Sequence, residues 1–209
     1  MNQRNYQREL EKILEQLQGA PRLFLHSCCA PCSSYVLEYL KQYFQITVFY
    51  YNPNISEQLE YRKRVEEQKR LIAAFNDLGQ GYPIRIQEGD YEPARFLDIA
   101  KGYEDCKEGG ERCFRCFELR LRETARQAAE GDYDYFCTTL TISPLKNAAK
   151  LNEIGEALAG EYQISWLPSD FKKKNGYKRS VELSAEYELY RQNFCGCGFS
   201  KAEALSRNG

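Results

Sequence analysis

No apolar run in this chain approaches the about 20 residues that a membrane-spanning helix needs, and the opening MNQRNYQREL lacks the apolar stretch of a secretion signal. The expectation is a cytoplasmic protein with no membrane partner. Net charge is nearly absent too. Lys and Arg number 29 and Asp and Glu 30, a balance of −1, so total charge says nothing about nucleic acid and any basic surface has to be local. Histidine is reduced to one residue, His26. No glycine-rich phosphate-binding loop follows the first strand-like segment; cysteines occupy that turn. No repeat and no linker divides the chain, and hydrophobic residues make up 43%. That composition suits one globular domain over residues 1–209 with a substantial core, not a disordered chain.

Cysteine is what the chain has in excess. The nine are Cys28, Cys29, Cys32, Cys106, Cys113, Cys116, Cys137, Cys195 and Cys197. A disulfide framework is disfavoured by the odd count, the missing secretion signal and a full-sized core. Close-spaced cysteines in a reducing compartment point to metal binding or redox chemistry.

Apolar and polar periodicity divides the rest of the chain into alternating elements. Residues 4–18 read as a helix. Arg22–Ser27 reads as a buried strand, 33–43 as a helix, and Ile46–Tyr51 as the clearest strand, rich in β-branched and aromatic residues. A charged helix is expected from a Ser56 cap to about Leu78, then a strand at Ile84–Gln87 and a helix at Pro93–Lys101. After a polar loop come a helix at Phe114–Glu130 and a strand at Tyr133–Thr139. Ser143-Pro144 reads as the start of a helix to about Ala159, followed by a strand at Gln163–Leu167 and a helix near Ser180–Asn193. Strands alternating with helices predict an α/β fold: a single domain with a mainly parallel five-stranded sheet and helices on both faces. Residues 1–20 would add an N-terminal helix, and 170–209 a small helical, cysteine-rich extension packed on the domain. Ligand sites in such sheets lie beyond the carboxyl ends of the strands. Cys28, Cys29, Asn52, Pro53, Asp90 and Thr138–Thr141 all fall just past strand ends. Cys137 falls inside a strand and reads as a core residue.

Cys28-Cys29-Ala30-Pro31-Cys32 follows the first strand, before a helix whose positive end lowers thiol pKa values. A thioredoxin-like dithiol fits three cysteines poorly. Cys113-Phe114-Arg115-Cys116 is a second CxxC at the mouth of a helix. The two together suit a four-thiolate site, for which zinc and [4Fe-4S] both qualify. Cys32 and Cys106 are surplus to four ligands, which leaves a second metal or a catalytic thiol open. Asp105 and Asp90 are oxygen ligands or proton donors within plausible reach, or ordinary loop aspartates. His26 stands two residues before Cys28, as a proton donor or as a satisfied core histidine. Cys195-Gly196-Cys197 can close into a tight, easily reduced disulfide or supply two ligands. Phe171–Arg179 gathers Lys172, Lys173, Lys174, Lys178 and Arg179 with Phe171 and Tyr177 interleaved, the mixture that phosphate binding and base stacking require; a solvated loop is the alternative.

Taken together, LHSCCAPCS, FYYNPNI with EYRKR, GGERCFRCFELRL, TTLTISPLKN and YRQNFCGCGFS resemble the QueH-type epoxyqueuosine reductases from about residue 23 to 200. The resemblance implies an oxidoreductase that reduces epoxyqueuosine to queuosine at the wobble position of GUN-anticodon tRNAs, those for Asp, Asn, His and Tyr. This is the last step of queuosine synthesis, carried out without cobalamin. It implies a fold similar to the PP-loop nucleotide α-hydrolases (HUP-like). It further implies a [4Fe-4S] cluster on Cys28, Cys29, Cys113 and Cys116, and a redox-active disulfide between Cys195 and Cys197. A second, mononuclear iron with further Cys and Asp ligands, Cys32 and Cys106 being at hand, belongs to the same expectation, as does an unidentified electron donor. Asp105, Asp90, Tyr51 and His26 stand as candidate proton sources.

Overall fold

The computed structural model describes residues 4–206. Its elements in chain order are α1 (Tyr6–Gln16), β1 (Arg22–His26), α2 (Ala30–Leu40), β2 (Gln45–Tyr50), α3 (Gln58–Asp77), β3 (Arg85–Glu88) and α4 (Pro93–Ala100), then α5 (Glu111–Glu130), β4 (Tyr135–Thr138), α6 (Ala148–Tyr162), β5 (Ser165–Trp166), α7 (Gly176–Glu186) and α8 (Gly198–Ser206). The strands form one sheet in the order β3-β2-β1-β4-β5, and every neighbouring pair is parallel. The sheet is therefore wholly parallel, as alternation of strands and helices requires.

Side chains alternate across a strand, and that alternation divides the core in two. Leu23 and Leu25 of β1 pack with Leu10 and Leu14 of α1, Val36 and Leu40 of α2, and Leu71 and Phe75 of α3. Phe24, between them, joins Phe49, Phe136 and Trp166 against Leu121 and Ala125 of α5 and Leu151 of α6. Helices thus cover both faces. Cys137 is fully buried in the first cluster, a core thiol as its place in a strand indicated. Among the described residues no helix is long and apolar enough to cross a membrane.

Four local expectations are corrected. α3 starts at Gln58, and Ser56 does not cap it; the Ser56 hydroxyl accepts from Gly198 N at 2.9 Å and so binds the tail. Ser143-Pro144 does not open α6. A short 3-10 turn covers Thr139–Ile142, and Asn147 caps the helix by accepting from Lys150 N at 3.0 Å. The tail holds two helices, not one, because Cys197 accepts at sulfur from Ser200 N at 3.4 Å and starts α8. Lys178 and Arg179, read as loop residues, lie in α7, which packs on α2.

The sheet order reverses direction between β1 and β4, the switch point at which open parallel sheets form crevices. The residues just past β1 are Cys28 and Cys29.

Candidate metal centre

β1 ends at His26, and the chain turns at once into α2, with Cys29 extended at the N-cap and Pro31 in the first helical turn. That compresses three thiols into one place. The sulfurs of Cys28, Cys29 and Cys32 all lie within 4.8 Å of one another, the one group of three soft or carboxylate ligands that close among the described residues. Cys28 Sγ and Cys29 Sγ are 3.8 Å apart. The turn is pinned from below: Asn52 Nδ2 donates to Ser27 O at 2.8 Å, and Ser27 and Ser33 both donate to Gln68 Oε1, at 2.8 and 2.9 Å.

The three thiols do not share one acidity. Hydrogen bonds from Cys28 and Cys32 pull the Cys29 thiol well below the ordinary thiol value, with the charge of Arg64 adding to them. Cys32 is pushed well above it, because it gives its hydrogen bonds to Cys28 and Cys29. Cys29 is accordingly the most acidic thiol of the group.

The second CxxC lies one helical turn apart in α5. Residues three and four apart share a helix face, so Arg112, Cys113, Cys116, Phe117 and Arg120 form one stripe. That stripe lines a small chamber with Cys195, Cys197 and Asn54. Burial pushes the Cys116 thiol up to about 12 and Cys197 up to about 11. Gly109 N donates to Cys113 Sγ at 3.2 Å.

A cavity of about 420 Å3 opens beside the chamber and is lined by Cys28, Cys29, Cys32, Arg64, Glu108, Lys146, Arg191 and Cys195 among others. Cys195 and Glu108 line both spaces. Cys195 therefore stands between the thiols of the first turn and those of α5. Its neighbour Gly196 has φ +119° and faces Ile55, where an added Cβ would lie 2.8 Å from Cγ1; only glycine suits that backbone. Cys195 and Cys197 are both free thiols here.

Positive charge surrounds this sulfur. Arg64, Arg112 and Arg120 are the largest of the buried side chains. Burial pulls the Lys146 ammonium down, but Cys195, Cys28 and Cys32 outweigh it and hold it above the usual lysine value. Among the buried polar atoms with no partner, Asn54 Oδ1, Arg112 Nε and Arg120 Nη2 belong to residues lining the chamber, and Arg64 Nη2 and Gln192 Oε1 to residues lining the cavity. Orphaned donors are costly when buried, and so is the Arg120 guanidinium, which has no carboxylate partner among the described residues, unlike Arg64 with Glu60 and Arg112 with Glu203. An all-sulfur donor set ringed by such groups fits an anionic, thiolate-bound metal centre.

The other expected site residues lie elsewhere. Asp90 lines a separate groove with Tyr61 and Arg62 at the edge of the sheet. Asp105 is exposed on the loop before α5. Cys106, on the same loop, lines neither cysteine space. His26 is fully buried; Nε2 donates to Tyr51 O at 3.1 Å, and Nδ1 accepts from the Thr138 hydroxyl at 2.9 Å. Burial, reinforced by the charge of Arg120, holds it neutral with a pKa of about 3. Tyr51 donates to Glu92 Oε2 at 3.1 Å. In the basic segment, Lys172 pairs with Asp170, Lys174 with Glu11, Lys178 with Glu182 and Arg179 with Glu38. Lys173 alone of the five has no carboxylate partner among the described residues and is exposed. The arginines, Lys146, Glu108 and Asn54 were not picked out from sequence, although Arg112 and Arg120 stand four residues either side of Cys116 and so share its helix face.

A family model described as "Epoxyqueuosine reductase QueH" matches residues 23–203. Proteins named epoxyqueuosine reductase QueH are similar along nearly the whole chain. The one from Staphylococcus epidermidis is 44% identical over 201 residues, 94% of this chain and 84% of that protein. The Streptococcus pyogenes protein is 43% identical over 94% of this chain and 78% of its own length. The Thermotoga maritima protein is 34% identical over 89% of this chain and 93% of its own length.

Proposed function

The chain belongs to the epoxyqueuosine reductase QueH family and is an oxidoreductase, and from that premise we propose that its cysteines hold a [4Fe-4S] cluster and reduce epoxyqueuosine in tRNA to queuosine. The observation that carries the reading is the position of Cys195, which lines both the cavity and the thiol chamber. Cys28, Cys29, Cys113 and Cys116 would hold the cluster. Cys32, within 4.8 Å of Cys28 and Cys29, is the surplus thiol that would be available to a mononuclear iron beside it. When bound, the cluster would supply electrons one at a time.

The reaction removes the epoxide oxygen as water and leaves an alkene, consuming two electrons and two protons. The substrate's modified base enters the 420 Å3 cavity. Arg191, Lys146 and Tyr177 line that cavity and would donate hydrogen bonds to oxygen atoms of the entering base. Lys146 is the ammonium on the cavity wall that would give a proton to the leaving oxygen; Asp105 lies out on the exposed loop, Asp90 in its separate groove, and buried, neutral His26 ties the end of β1 to Thr138 and Tyr51. Cys195 and Cys197 together store two electrons as dithiol and disulfide, which matches the stoichiometry of one turnover. The tRNA substrates are those with GUN anticodons, for Asp, Asn, His and Tyr, approached along α7 and the basic segment before it.

Anaerobic incubation of epoxyqueuosine-tRNA with the protein and a chemical reductant such as dithionite, read by nucleoside mass spectrometry against a reductant-only control, tests the activity. Conversion to queuosine is expected from brown protein containing more iron than labile sulfide. Colourless protein carrying zinc and no sulfide, or brown protein that leaves the epoxide intact, overturns the assignment.

A further inference from the structure

Arg120 is fully buried in α5. Its Nε donates to the Cys116 carbonyl oxygen at 3.2 Å and its Nη1 to Asn52 Oδ1 at 3.4 Å, while Nη2 has no partner. Among the described residues no carboxylate pairs with it, whereas Arg64 has Glu60 and Arg112 has Glu203. A guanidinium does not shed its proton to relieve burial. An uncompensated buried charge of this kind needs an anion in the same space.

The space is the thiol chamber, where Arg120 shares the wall with Cys113, Cys116, Cys195 and Cys197. Its main electrostatic partners are all sulfur: Cys116 first, then Cys195, Cys28 and Cys113. It thus addresses both halves of the cysteine set from one position. Through Asn52 it also reaches the turn after β1, since Asn52 Nδ2 donates to Ser27 O at 2.8 Å. A fixed positive charge favours whichever redox state is more negative, and the potential of a thiolate-bound cluster follows local charge and hydrogen bonds.

We propose that Arg120 is the built-in counter-charge of the iron–sulfur centre, a positioning residue that raises its reduction potential and leaves Nη2 as the donor for the anion the chamber holds. The inference rests on the reading that these cysteines bind a cluster.

The test compares wild type, Arg120→Gln and Arg120→Lys, reconstituted anaerobically with iron and sulfide. Metal content is measured first, then the midpoint potential by a redox titration followed by electron paramagnetic resonance. Arg120→Gln keeps a side-chain amide for Asn52 but no charge. Its one-electron equilibrium is expected to shift at least tenfold towards the oxidised state, about 59 mV lower, while Arg120→Lys stays near wild type. Loss of the cluster from Arg120→Gln with retention in Arg120→Lys also supports the proposal, because charge then decides occupancy. A loaded Arg120→Gln with an unchanged potential overturns it. So do equal shifts, or equal loss of the cluster, in both variants, which mark a packing role. Wild-type protein that takes up neither iron nor sulfide overturns the cluster reading itself, and this proposal with it.

Discussion

Arg64 Nη1 donates to the Cys195 carbonyl oxygen at 3.1 Å, so one buried guanidinium joins helix α3 to the tail that carries the CGC pair. Glu60, on the preceding turn, accepts from Arg64 Nε at 2.7 Å and from the Tyr190 hydroxyl at 3.0 Å. Arg64→Met breaks that ion pair and leaves the Glu60 carboxylate with the Tyr190 hydroxyl but no cation. A loss of about 3–5 kcal/mol is expected, typical of a buried pair deprived of one partner. Denaturant unfolding measures it, and alkylation of Cys195 should quicken as the tail loosens. A variant as stable as wild type, with unchanged alkylation, would show that the tail is held by other contacts.

The CGC pair is expected to act as a reservoir, not as a ligand. Cys195→Ser and Cys197→Ser should each retain a first turnover with prereduced protein and fall by at least about tenfold in steady state, a loss of about 1.4 kcal/mol or more in transition-state terms. Rapid-quench analysis of product nucleosides separates the two phases. Full multiple-turnover activity in both variants would remove the relay.

Cys137 gives the alkaline stability of the fold a defined slope. Burial pushes its thiol from 9.0 up to about 12. The folded value lies above the unfolded one, so the stabilisation is complete below about pH 9 and is lost as pH rises towards 12. The slope from this group is about 1.4 kcal/mol per pH unit within that window. Unfolding free energies measured from pH 8 to 10.5 should fall less steeply for Cys137→Ala than for wild type. The comparison between variants isolates Cys137 from tyrosines such as Tyr61, whose burial raises it to about 12. Parallel curves would assign the alkaline loss to other buried groups, Tyr61, Cys116 and Cys197 among them.

Charge pairing ranks the basic residues before and within α7. Lys173→Gln should weaken tRNA binding and lower the salt slope of log K by about 1. Lys174→Gln should do less, because Glu11 already pairs with Lys174. Filter binding across a salt series tests the order. Equal effects would mean that the ion pairs open when tRNA arrives.

Legibility from sequence followed the range of the interactions. The alternation of β-branched strands and polar helices is a local pattern, and it predicted the parallel α/β sheet. Cys28, Cys29 and Cys32 crowd one turn because they sit between a strand end and a helix start, a placement readable at short range. The sequence pattern at Ser56 and Ser143 predicts caps that the structure does not form. Each residue suits an N-cap, but Ser56 meets Gly198, and the chain after β4 tightens into a 3-10 turn. Gly198 is too far along the chain for a local pattern to record, whereas the 3-10 turn over Thr139–Ile142 lies directly before Ser143 and competes with the cap at short range.

What the sequence determined by itself was the cysteine inventory, its division into turns, and a family resemblance carried by motifs along nearly the whole chain. These depend on residue identity and spacing. Only the tertiary structure decided which groups surround the sulfur. It moved Asp90 and Cys106 away from the cysteine spaces, set Cys195 between the two thiol groups, and buried Arg64, Arg112 and Arg120 around them. An arginine on a charged helix resembles any solvated residue until the sheet and tail close over it. Its electrostatic role arises from that burial, which no local pattern records.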